Sequence, residues 1–131
     1  MPHADVYFYM SGEKTVPVLD WLRQLRQRDR RAYAKCVVRI RRLGQEGHAL
    51  RRPEADYLRD GIYELRVRQG RVNYRILYFF HGQNVVILTH GLTKEDEVPD
   101  AEIDRAQSRK EAFEKNPKLH LYEDTDGQED A

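Results

Sequence analysis

Three arginines on two neighbouring segments are the first candidates for chemistry. Arg66 and Arg68 lie in IYELRVRQ, and Arg75 lies in VNYRILYFF, on the far side of Gln69-Gly70. Side chains alternate along a strand, so Glu64, Arg66 and Arg68 share one face of the first segment. Asn73, Arg75, Leu77 and Phe79 share one face of the second. A hairpin closed at Gln69-Gly70 gathers Arg66, Arg68 and Arg75 on one surface, provided the register holds, since a one-residue slip turns each side chain over. A guanidinium fork suits the oxygens of a phosphate, so such a surface fits a phosphate-rich ligand.

Proton transfer needs another residue type, because guanidinium stays protonated. His90 stands near the end of a third segment, VVILTHGLT, and histidine titrates near neutral pH. Lys94 follows where that segment gives way to the next element, from which its side chain could overhang the sheet. The competing assignments are a buried, satisfied histidine for His90 and a solvated surface residue for any single arginine. His81 falls in a turn, and Tyr74 and Tyr78 alternate with Arg75 towards the core. No Cys-x-x-Cys or His-x-x-x-His spacing occurs, nor a nucleophilic serine motif, nor a glycine-rich phosphate loop. No metal or cofactor is expected. The compatible reaction is metal-free cleavage of RNA, in which the substrate's own 2′-hydroxyl attacks the phosphodiester. The protein then has to align that hydroxyl, stabilise charge on the phosphorane and assist proton transfer.

The elements that must position these residues follow from periodicity. Ile62–Arg68, Arg71–Phe80 and Asn84–Leu92 read as three strands of an antiparallel meander, with turns at Gln69-Gly70 and His81-Gly82-Gln83. Asp5–Met10 reads as a short strand. Val18, Trp21, Leu22 and Leu25 recur at helical spacing behind Thr15, the expected N-cap, and Pro17. Asp29 is expected to cap a second helix with Tyr33, Cys36, Val37, Ile40 and Leu43 on one face and Arg31, Lys35, Arg39 and Arg42 on the other, ended by Gly44 and Gly47. Residues 48–61 read as a link, interrupted by Pro53. A last helix runs from about Pro99 to Lys115, and Asn116-Pro117 stops it. The order β, α, α, β, β, β, α makes an α+β domain over residues 1–116. The helices are expected on one sheet face, with arginines on a partly open second face. Residues 117–131 read as an acidic, mostly disordered tail.

The 131 residues suit one domain, 40% hydrophobic and 34% charged. No apolar run is long enough to span a membrane, and the N-terminus has no signal-peptide pattern, so a cytoplasmic protein is expected. The lone Cys36 permits no internal disulfide. The formal charge of +1 conceals an asymmetry. Residues 20–81 hold 16 Lys and Arg against 7 Asp and Glu, an excess of nine positive charges, so the remainder carries an excess of eight negative. A basic body attracts polyanions through counterion release. Acidic ends can shield it or aid solubility.

The stretch GIYELRVRQGRVNYRILYFFHGQNVVILTHGLTK resembles the sheet signature of the RelE/ParE superfamily of type II toxin–antitoxin toxins, and is closest to the HigB-like, phage-derived branch. LRRPEADYLRDG upstream and VPVLDWLRQL near the start resemble the same branch. The resemblance spans roughly residues 5–115. It implies a RelE-like fold: a small antiparallel β-sheet packed against two N-terminal helices, plus a C-terminal helix. It implies a toxin that cuts mRNA on the ribosome as an endoribonuclease and is neutralised by a cognate antitoxin, HigA-like and carrying a helix-turn-helix. By position, Arg66, Arg75, His90 and Lys94 take the catalytic places. Arg68, Arg71, Arg51, Arg52 and Lys35 take the RNA- and phosphate-binding ones. No tyrosine follows Lys94 in the sheet or at the start of the last helix, where some RelE members have a catalytic one. Acid–base work therefore falls to His90, Lys94 or water. Two other readings share this chain: a ParE-like inhibitor of DNA gyrase, and a non-catalytic module that binds RNA or a partner.

Overall fold

The computed structural model describes residues 3–93 and 97–123. Strand β1 (Asp5–Tyr9) leads into helices α1 (Pro17–Arg28) and α2 (Arg30–Glu46). Strands β2 (Ala55–Arg59), β3 (Ile62–Gln69), β4 (Val72–His81) and β5 (Val85–Thr93) follow, then α3 (Asp100–Lys115), the single turn α4 (Pro117–His120) and β6 (Leu121–Tyr122). One six-stranded sheet runs in the order β2-β3-β4-β5-β1-β6. The pairs from β2 to β5 are antiparallel, β1 joins β5 in parallel, and β6 joins β1 antiparallel. The fold is the expected α+β arrangement of a sheet, two N-terminal helices and a C-terminal helix.

The meander forms where alternation places it. Gly70 and Gly82 take φ of +62° and +69° in its turns, a region that favours glycine. Leu65, Val67, Tyr74, Ile76, Tyr78, Val86 and Leu88 pack against α1 and α2 in one core. Val18, Leu22 and Leu25 of α1 are buried there, as are Ala32, Cys36 and Leu43 of α2. Asp29 caps α2, its Oδ1 accepting from the Ala32 amide at 3.1 Å. Thr15 does not cap α1. Val16 holds that position, and the Thr15 hydroxyl instead lies 2.6 Å from that of Ser11, closing the preceding loop. Gly44 lies inside α2, and the helix ends at Gly47, whose φ of +54° suits glycine.

Three further expectations change. The presumed link between the helices and the meander contains strand β2, which pairs with β3 from Ala55↔Leu65 to Arg59↔Ile62. Asp56 and Arg59 mask the strand signal that Tyr57 carries, as befits an edge strand. The second sheet face is not left open along its length. There α3 lays Ile103, Ala106 and Phe113 on Ile62, Leu77, Phe79, Ile87 and Leu92 in a separate core. Residues 117–122 are ordered against the sheet: His120 Nδ1 lies 2.7 Å from the Met10 carbonyl, Tyr9 stacks on the His120 ring, and Tyr122 pairs with Phe8. No helix among the described residues is long and apolar enough to cross a membrane.

Candidate active site

The hairpin register sets Arg66 directly opposite Arg75 and Arg68 opposite Asn73. The arginines therefore share a face, as alternation requires, on the α3 side of the sheet. Two like charges abreast on neighbouring strands repel. Glu64, one side-chain step along β3, resolves this. Its Oε1 accepts from Arg75 Nη1 at 2.7 Å, and its Oε2 accepts from Arg66 Nη2 at 3.1 Å and Nε at 3.2 Å. Arg66 also reaches Asp56 of β2 at 3.3 Å. The Glu64 carboxylate is buried, with its side chain 2% exposed, and Arg75 is 14% exposed. The pair is thus held as a rigid cradle. Arg75 Nε is buried with no hydrogen-bond partner among the described residues.

Strand β2 covers only the first half of β3, so the backbone carbonyls of Arg66 and Arg68 face an edge. Helix α2 caps it with cations. Lys35 Nζ donates to the Arg68 carbonyl at 3.1 Å, and Arg39 donates to the Arg66 carbonyl. Arg42 and Arg39 in turn pair with Glu54, at 3.4 and 3.7 Å. Arg39 and Glu54 border a cleft of about 310 Å³, lined also by Arg66, Arg68, Asn73 and Arg75 among others. Arg68 is exposed, its Nε donating to the Gly70 carbonyl at 3.1 Å, and Arg71 is exposed in the same turn. Arg51 and Arg52 are exposed on the loop before β2, where Arg52 pairs with Asp56 at 2.8 Å. Arg66, Arg68, Arg75 and the α2 cations therefore come together. Arg51 and Arg52 border the neighbouring depression.

His90 stands apart from that cleft. A bulge between Leu77 and Tyr78 sets it opposite Leu77 on the face covered by α3. Its Nδ1 lies 3.0 Å from the Thr89 hydroxyl, and its Nε2 lies 3.2 Å from Glu102 Oε1, in the first turn of α3. The ring is 6% exposed. Burial, reinforced by the Arg109 charge and only partly opposed by Glu102, pushes its pKa from 6.5 down to about 4. At neutral pH His90 is an uncharged imidazole closed off by Glu102. Lys94 lies outside the described residues.

Two participants escaped the motif reading. Glu64 was placed on the arginine face by alternation, but an acidic residue among basic ones gives no sign of burial. Glu102 becomes a partner of His90 only through the packing of α3. Cys36 is buried against the helices, its thiol pushed up to about 12 by desolvation, so it is no nucleophile. Among the described residues no group of three or more His, Cys, Asp or Glu is placed to hold a metal ion.

No curated protein matches the sequence. The family model described as phage-derived protein Gp49-like (DUF891) matches residues 20–111, which include most of α1, all of α2, the whole meander and most of α3. Every arginine of the cleft falls inside that span. The chain belongs to the Gp49-like family of phage-derived proteins, a family linked to the RelE-type toxins of toxin–antitoxin systems.

Proposed function

We propose that the protein is the toxin of a type II toxin–antitoxin system, of the HigB-like branch, and that it cleaves mRNA on the ribosome in the cytoplasm. The carrying observation is the Arg66–Arg75 pair, fixed by a buried carboxylate at the rim of a cationic cleft. A phosphorane gains charge in the transition state, and donors already held in place stabilise it without reorganising. Arg75 contributes the Nη hydrogens it does not give to Glu64, and Arg66 contributes its Nη1 group, since its Nε and Nη2 are held by Glu64 and Asp56. Arg68, Arg71, Lys35, Arg51 and Arg52 hold flanking phosphates. The attacking group is the RNA's own 2′-hydroxyl, so no metal enters the step. His90 keeps α3 seated rather than meeting substrate, which leaves Lys94 or water to move the proton. The cognate antitoxin, expected to be HigA-like, neutralises the toxin by covering this basic surface. The pairing of Leu121 and Tyr122 with β1 supports counting residues up to Tyr122 with the toxin unit.

Ribosomes programmed with a defined mRNA test the reaction. Wild type should cut the message, and a 2′-deoxy nucleotide at the cut position should abolish that cut. Arg75→Lys keeps a positive charge beside Glu64 but loses the planar fork, and should lower the rate about a hundredfold. Cleavage that survives 2′-deoxy substitution would rule out attack by the substrate's own hydroxyl.

A further inference from the structure

A second depression adjoins the arginine cleft. It holds about 410 Å³ and is lined by His48, Leu50, Arg51, Arg52, Tyr57 and Tyr63, with Ala55 and Asp56. The two hollows share one loop, for Pro53 and Glu54 line the first and Arg51 and Arg52 the second. Its wall is aromatic. Tyr57 is 52% exposed, a large ring on an edge strand that the core does not use. That ring is nonetheless fixed. Its hydroxyl accepts from the Gly61 amide at 3.0 Å, and it meets Tyr63 edge-on at 5.0 Å between centroids. Tyr63 stacks in turn on buried Tyr78 at 5.3 Å. On the far side the exposed His48 ring lies on Phe80 at 3.5 Å.

We propose that this depression is a base-binding subsite for single-stranded RNA. A nucleobase enters against the Tyr57 and Tyr63 rings, and Arg51 and Arg52 take its phosphate. Unstacked bases find such platforms on aromatic side chains, and pre-oriented rings lose little entropy on binding. Arg52 is 72% exposed and spends one donor on Asp56, leaving others for an anion. The shared loop lets neighbouring nucleotides of one strand occupy both hollows. The inference rests on the reading that the adjoining cleft takes RNA phosphate, and adds to it a place where a base is held by stacking.

The test uses the full chain and adenosine 5′-monophosphate, with ribose 5-phosphate and phosphotyrosine as controls, followed by the NMR ring signals of tyrosine and histidine. Adenosine monophosphate should shift the Tyr57, Tyr63 and His48 signals. Ribose phosphate should bind at least tenfold more weakly. Tyr57→Ala should weaken nucleotide binding about tenfold, and Tyr57→Phe should stay within about twofold of wild type. On the ribosome, Tyr57→Ala should raise KM about tenfold and leave kcat unchanged. Equal binding of nucleotide and ribose phosphate, indifference to Tyr57→Ala, or preference for phosphotyrosine would each overturn the subsite. Cleavage by wild type with none of these base effects removes the subsite and leaves the nuclease reading standing. Base-dependent binding without any cleavage keeps the subsite and removes the nuclease reading.

Discussion

Glu64 Oε1 lies 2.7 Å from Arg75 Nη1, and the other oxygen of that carboxylate lies 3.1 Å from Arg66. One buried anion therefore sets the position of two cations that would otherwise repel. Their attraction holds only while the carboxylate is present, because a buried charge without its partner is costly. Glu64→Ala should destabilise the protein by about 3 kcal/mol, read from the shift in urea midpoint, and should let both arginines swing out. A loss under about 1 kcal/mol would show that the three charges do not act as a unit.

Some of this was legible in the sequence. Alternation and two glycine turns fix the meander, and alternation alone places Arg66 and Arg75 on one face. Asp29 announces itself as a cap by type and position. The rest depends on partners distant in the chain. β2 hides behind Asp56 and Arg59, polar residues that an edge tolerates. β6 is two residues long and exists because β1, more than a hundred residues earlier, offers it an edge. The closure of His90 is a property of α3, which seats Glu102 over it. Periodicity predicts α3 itself but not the sheet face it covers.

Gly91 of β5 pairs with Ile76 and faces Trp21 of α1. A Cβ there would lie 2.2 Å from the indole, so the ring fits because the strand has no side chain at this point. Gly91→Ala should force α1 away from the sheet and cost at least about 2 kcal/mol, with a changed Trp21 emission spectrum. Unchanged stability and emission would mean that Trp21 does not pack here in solution.

His90 should make stability fall with acid. The unfolded chain takes up its proton as pH drops through about 6.5, whereas burial keeps the native imidazole neutral down to about 4. The contribution is therefore complete above about pH 6.5 and is lost progressively to about pH 4, on the order of 3 kcal/mol. His90→Gln should flatten that part of the profile in urea titrations. Parallel profiles for wild type and variant would place the acid sensitivity elsewhere.

The C-terminal strand gives a truncation pair. Ending the chain at Asn116 removes the His120–Met10 contact, the Tyr9–His120 stack and the Tyr122–Phe8 pairing. That protein should melt several degrees lower, since a few kcal/mol corresponds to such a shift in a domain of this size. Ending it at Glu123 keeps every one of those contacts and should leave the melting temperature unchanged. Equal melting of both truncations would show that β6 adds nothing to the sheet.

The most direct test of the central claim is induced expression followed by mapping of mRNA 5′ ends, with wild type beside Arg75→Lys. The account predicts discrete cuts inside translated frames that fall about a hundredfold in the variant while the variant remains folded. Growth arrest without such cuts, or cuts that persist undiminished in folded Arg75→Lys, would contradict it, and arrest with intact messages would direct attention to DNA gyrase.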